Sequence, residues 1–89
     1  MEKVIKTSEI FATSQFALAC YLFYLGFELL GLEGKDRKTF LFKRDHGIDE
    51  AVQSFWRKQG RVEPEDFLLV VKKLKSRLYD MESQEKDAK

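Results

Sequence analysis

The chain has 89 residues, with sixteen Lys or Arg against fifteen Asp or Glu, one Pro, five Gly and a single cysteine. That length leaves room for one small domain and no second folding unit, and a net charge of +1 excludes an obvious nucleic-acid coat or an acidic solvating tail. A content of 44% hydrophobic and 13% aromatic residues excludes disorder and low-complexity classes, while Cys20, alone, cannot form an internal disulfide and points to a reducing, cytoplasmic setting.

Residues 1 to 13 carry Val4, Ile5, Ile10 and Phe11 between polar neighbours, a weak strand signal closed by Thr13, a good helix N-cap. From Phe16 to Leu25 every residue is apolar or aromatic, and Gly26 follows where a left-handed C-terminal cap belongs, which predicts a helix from about Ser14 to Leu25. Its apolar residues run all the way round, so something must cover it on both sides. Phe27 to Glu33 and Lys38 to Arg44 then read as an antiparallel hairpin over residues 27–44, joined by Gly34-Lys35-Asp36-Arg37. Strand alternation puts Phe40 and Phe42 on the core face and Thr39, Leu41 and Lys43 on the other.

After Asp45-His46-Gly47, with Asp45 a candidate cap, Ile48, Ala51, Val52, Phe55 and Trp56 make one helical stripe that Gly60 ends. Glu63-Pro64-Glu65-Asp66 opens a third helix, with Pro at the first helical position and carboxylates at the positive end of its dipole. Its seam of Phe67, Val71, Leu74, Leu78 and Met81 has interhelical spacing, and Leu68 and Val70 widen the apolar surface at its start. The charged residues from Glu82 to Lys89 read as a frayed tail, so the expected layout is one domain over 1–82 and a flexible charged tail over 83–89. There is no internal repeat. The order is (β)αββαα, an α+β two-layer sandwich in which two or three antiparallel strands pack against three helices.

Neither a membrane span nor a leader is expected. Phe16 to Leu25 covers only about 15 Å of a hydrocarbon core about 30 Å thick, and lengthening the run brings in Gly26, Glu28 and Gly31. Glu2 and Glu9 dilute the basic start that a signal peptide needs.

Chemistry-bearing residues do not assemble into a motif. His46 is the only histidine and lacks matching ligands, and Cys20 sits mid-helix among Ala, Tyr and Leu, where a thiol serves packing. Asp49-Glu50 and Glu63-Glu65-Asp66 occupy first turns of helices, where the dipole alone accounts for them. No phosphate loop, nucleophile elbow or zinc spacing occurs, so neither an enzyme nor a cofactor or metal is expected.

Charge by segment is more informative. Residues 35–61 hold eight basic and four acidic side chains, whereas residues 1–34 hold two and four. Within the basic middle, Arg37 to Arg44 interleaves aromatics with cations, as single-strand binders do, although the RNP1 glycine pattern and a fourth strand are missing. The same run also suits an ordinary strand with a core-facing Phe pair. Lys72, Lys73, Lys75 and Arg77 read as the wet side of the third helix.

Phe11-Ala12-Thr13, Leu18-Ala19, Leu22, Gly26-Phe27, Phe40-x-Phe42, Phe55, Pro64 and Leu74-Lys75 with Leu78 together resemble a family of small microbial domains of unknown function. The resemblance runs from about residue 9 to 79, rests on packing and capping positions, and implies the fold while adding no site. The expected function is a non-catalytic protein-interaction module, a homodimer or a subunit lending a surface to another protein, through Phe67, Val71, Leu74, Leu78 and Met81. The alternative is a nucleic-acid accessory protein using Arg37, Lys38, Lys43, Arg44, Arg57, Lys58 and Arg61.

Overall fold

A computed structural model of the chain describes the backbone of residues 9–34 and 37–87, and side chains of those residues up to 80. Six elements follow one another: β1 (Ile10–Thr13), α1 (Phe16–Tyr24), β2 (Leu29–Glu33), β3 (Thr39–Lys43), α2 (Ile48–Trp56) and α3 (Pro64–Asp87). The three strands form one antiparallel sheet in the order β1-β3-β2, so the α+β class and the element order agree with the sequence reading. The weak first strand is real over Ile10–Thr13 because β3 offers it a free edge; Val4 and Ile5 lie outside the described residues.

Register decides which side chains share a face. Phe11 and Leu29 stand opposite Phe42, and Thr13 and Leu32 opposite Phe40, so β3 carries both of its phenylalanines into the core, where they are buried. Ala12 and Gly31 flank Leu41 on the other face. The pairing slips between Leu29 and Gly31, leaving Leu30 as the extra residue of a bulge at the sheet edge.

Leu18, Ala19, Cys20, Tyr21 and Leu22 of α1 are all buried, together with Phe40, Phe42, Ile48 and Leu74. Five consecutive residues at 100° each sweep more than a full turn, so the middle of α1 is covered on every side by its own chain, while Ala17 near its start is exposed. Phe16 meets Phe40 of the sheet at 6.0 Å between ring centroids, Tyr21 meets Phe55 of α2 at 5.9 Å, and Tyr24 meets Phe67 of α3 edge-on at 5.9 Å. Side chains of this size contribute about 1.5–3 kcal/mol each when fully buried. The apolar middle of this helix is thereby the pillar of a small core.

Several boundaries move. α1 begins at Phe16, not Ser14, because Thr13 stays in the strand; its hydroxyl accepts the Gln15 N–H at 3.0 Å and turns the chain before the helix. α2 is preceded by Gly47 in a left-handed conformation, whereas the Asp45 carboxylate accepts the His46 N–H at 2.9 Å and caps no helix. That helix ends not at Gly60 but at Trp56, with Lys58 in the left-handed position at φ 60°. The third helix opens as expected with Pro64 first, yet its backbone stays helical to Asp87, into the stretch expected to fray, of which residues 88 and 89 lie outside the described residues. Residues 82–87 contain no Gly or Pro and are mostly strong helix formers, which lets the hydrogen-bonded ladder run on.

Candidate interaction surface

The two faces of α3 do different things. Leu74 is 0% exposed, and Phe67, Val70, Val71 and Leu78 pack against the same core, so the four-three seam is taken up by the chain itself. The expectation that Phe67, Val71, Leu74 and Leu78 offer a free interface is corrected on this point: α1 already occupies the groove that a partner would fill. Met81, the last residue of that seam, has a side chain outside the described ones. Two bonds pin the start of the helix in place. The Glu63 carboxylate accepts the Asp66 N–H at 2.7 Å as an N-terminal cap, and the Glu63 N–H donates to the Tyr24 hydroxyl at 2.9 Å. Further along, the Arg77 guanidinium lies 5.9 Å from the centre of the Phe23 ring.

Opposite the seam, Leu68 and Leu69 are each 58% exposed and Tyr79 is 68% exposed. They share their side of the helix with exposed Lys72, Lys75 and Ser76. The four-three spacing of the seam passes over Leu69 and Tyr79, because Leu69 lies inside the apolar run Phe67 to Val71 without falling on the seam, and Tyr79 stands beside Leu78 after a lysine-rich stretch. What singles them out is that the inner face is already satisfied. Trp56, 56% exposed at the end of α2, is the other large aromatic left in solvent, with its edge against Phe55 at 5.1 Å.

The basic residues of the middle segment are not gathered into one stripe. Arg37 and Lys38 sit at the hairpin end, where Lys38 donates to the Gly34 carbonyl at 3.0 Å. Lys43 and Arg44 lie at the opposite end of β3, about 17 Å away at the usual rise of a strand. Arg44 is engaged by Asp49 at 2.6 Å and lies 5.8 Å from the Phe11 ring centre. Arg57, Lys58 and Arg61 belong to the connection between α2 and α3. Lys58 borders an open crevice of about 360 Å³ with Tyr21, Phe55, Gly60 and Phe67, and Arg57 borders another of about 500 Å³ with Glu50, Gln53 and Gln59.

Cys20 is buried, and removal of its thiolate from water pushes its pKa up from 9.0 to about 11, against a smaller opposing pull from Lys75. Such a thiol stays protonated at neutral pH and serves as core. His46 is exposed in the turn before α2. Asp49 is committed to Arg44 and Glu63 to its cap, so two of the carboxylates considered for chemistry have structural partners. Among the described residues no group of three or more His, Cys, Asp or Glu could hold a metal ion, and no helix is long and apolar enough to cross a membrane.

Neither a curated protein nor a solved structure matches the chain. A family model does match, over residues 8–80, which spans all three strands, α1, α2 and the part of α3 that packs on the core. The chain therefore belongs to the family described as a domain of unknown function, DUF5659, in agreement with the resemblance carried by its packing and capping residues.

Proposed function

We propose that the protein is a non-catalytic interaction module that works as a homodimer in the cytoplasm, and that the outer face of α3 is its contact surface. The observation that carries this reading is the pairing of a satisfied inner face with an outer face bearing Leu68 and Leu69 at 58% and Tyr79 at 68% exposure. Single exposed apolar side chains are ordinary on any protein, but adjacent leucines followed by a tyrosine three turns on form a patch of the kind that interfaces cover. A reducing compartment suits a chain whose one thiol is buried in the core. The test is the solution mass, by light scattering or sedimentation, in the tens of micromolar. A mass twice that of the chain supports the reading. A monomeric mass with unfolding independent of concentration overturns it, and a low-salt binding assay on single-stranded and duplex DNA then decides whether the basic residues have a role instead.

A further inference from the structure

Leu69, Lys72, Lys73, Ser76, Tyr79 and Asp80 are all exposed, and at 100° per residue they fall within about 120° of arc on the side of α3 opposite Leu74. Charge along this helix is divided lengthwise. Residues 67–79 hold four basic side chains and no acidic one, whereas residues 80–87 hold four acidic and one basic. A helix polarised in this way complements a copy of itself only when the copy runs in the opposite direction. Parallel pairing would set each lysine beside its own counterpart, and like charges repel.

We infer that two copies of this chain pair antiparallel along the outer faces of α3, with the two-fold axis at Ser76. With the axis there, Lys73 of one copy faces Asp80 of the other on one flank, and Tyr79 comes over the ammonium group of Lys72 on the other flank. The symmetry makes every such contact twice. Ser76 is the smallest side chain on the face, so its place at the axis lets the two helices approach closely. Sliding the axis toward Lys72 would bring lysines from both copies together, which is why charge selects one register.

This inference rests on the homodimer reading, and its test separates the two. Residues 73 and 80 are seven positions apart in one helix, about 10 Å along its axis, so they do not pair within a chain. The variants Lys73→Glu and Asp80→Lys are each measured alone and then mixed in equal amounts, with circular dichroism reporting that each is folded. In either variant alone the facing pair becomes like-charged, and dimer dissociation constants should weaken by about tenfold or more. In the mixture every facing pair is again opposite in charge, so heterodimers should form with the affinity of the wild type. If the wild type is a dimer and both variants dimerise equally well, or if both weaken and the mixture does not recover, this register is wrong while the homodimer stands. A monomeric wild type overturns both.

Discussion

Gly26 and Lys58 stand at the same position relative to the helices they follow, yet only one of them is glycine. After α1, the Phe27 N–H reaches the Leu22 carbonyl at 3.1 Å and the Gly26 N–H reaches that of Phe23 at 3.0 Å, with Gly26 at φ 100°. After α2, the Gln59 N–H reaches Ser54 at 2.8 Å and the Lys58 N–H reaches Phe55 at 3.0 Å. Lys58 bears the cost of a Cβ in the left-handed region, so Lys58→Gly should raise stability by about 0.5–1 kcal/mol in denaturant unfolding. Gly26→Ala should lose about 1 kcal/mol. Its new Cβ meets nothing within 4 Å, which makes the loss purely a matter of backbone conformation. Cys20 supplies a third case. Its thiol is held up at about 11 in the folded protein against 9.0, so the folded state binds that proton more tightly than the unfolded one. The resulting stability is complete below pH 9 and is lost as pH rises toward 11. Denaturation midpoints taken across that window should fall more steeply for the wild type than for Cys20→Ala, and equal slopes would show that the thiol ionises as freely in the fold as out of it.

At the scale of elements, α3 separates core from surface within a few residues. Leu74→Ala empties a site that is 0% exposed and should cost about 2–5 kcal/mol, whereas Leu69→Ala, at 58% exposed, should leave the stability of the protomer within about 0.5 kcal/mol. Comparable losses at the two positions would mean that the outer face is packed in solution. The seam of this helix was legible in the sequence because an apolar residue every three or four positions can only be one face. Its partner was not legible. Periodicity says that a face is buried, and the same stripe serves equally well against α1 or against another molecule. The hairpin was easier: Phe40 and Phe42, two apart between polar ends, define both the strand and its inner face. Helix ends were the weakest point, since Asp45 and Gly60 are good residues for the jobs assigned to them and lose those jobs to Gly47 and Lys58 only through the path of the chain.

For the whole molecule, the core is one small cluster in which α1 touches the sheet, α2 and α3 at once, so unfolding should be a single cooperative transition. If the protein dimerises, that transition must move with concentration, because association stabilises the folded state by mass action. A tenfold rise in protein concentration should raise the melting temperature. Pairing through lysine and aspartate on α3 further requires the rise to shrink at about 1 M salt, where charges are screened over about 3 Å. A melting temperature that depends on concentration but not on salt would place the contact on apolar residues alone, with Leu68, Leu69 and Tyr79 as the first to replace.

What the sequence by itself determined was the kind of structure: the order of strands and helices, the hairpin, the inward phenylalanines, the left-handed glycine after α1 and the position of Pro64. These follow from alternation, helical spacing and local backbone preference, which act between neighbours in the chain. Only the tertiary structure decided where surplus apolar surface goes. The all-round character of α1 admits two explanations, enclosure within the chain or burial against a partner, and the choice depends on whether one sheet and two helices can reach every side of it. Around its buried middle, Leu18 to Leu22, they do, through Phe40, Phe55 and Phe67, residues separated from α1 by between 16 and 51 positions in the chain. Contacts at such separations are set by how whole elements pack, so no local pattern encodes them, and the outer face of α3 becomes visible as a surface only after its inner face has been accounted for.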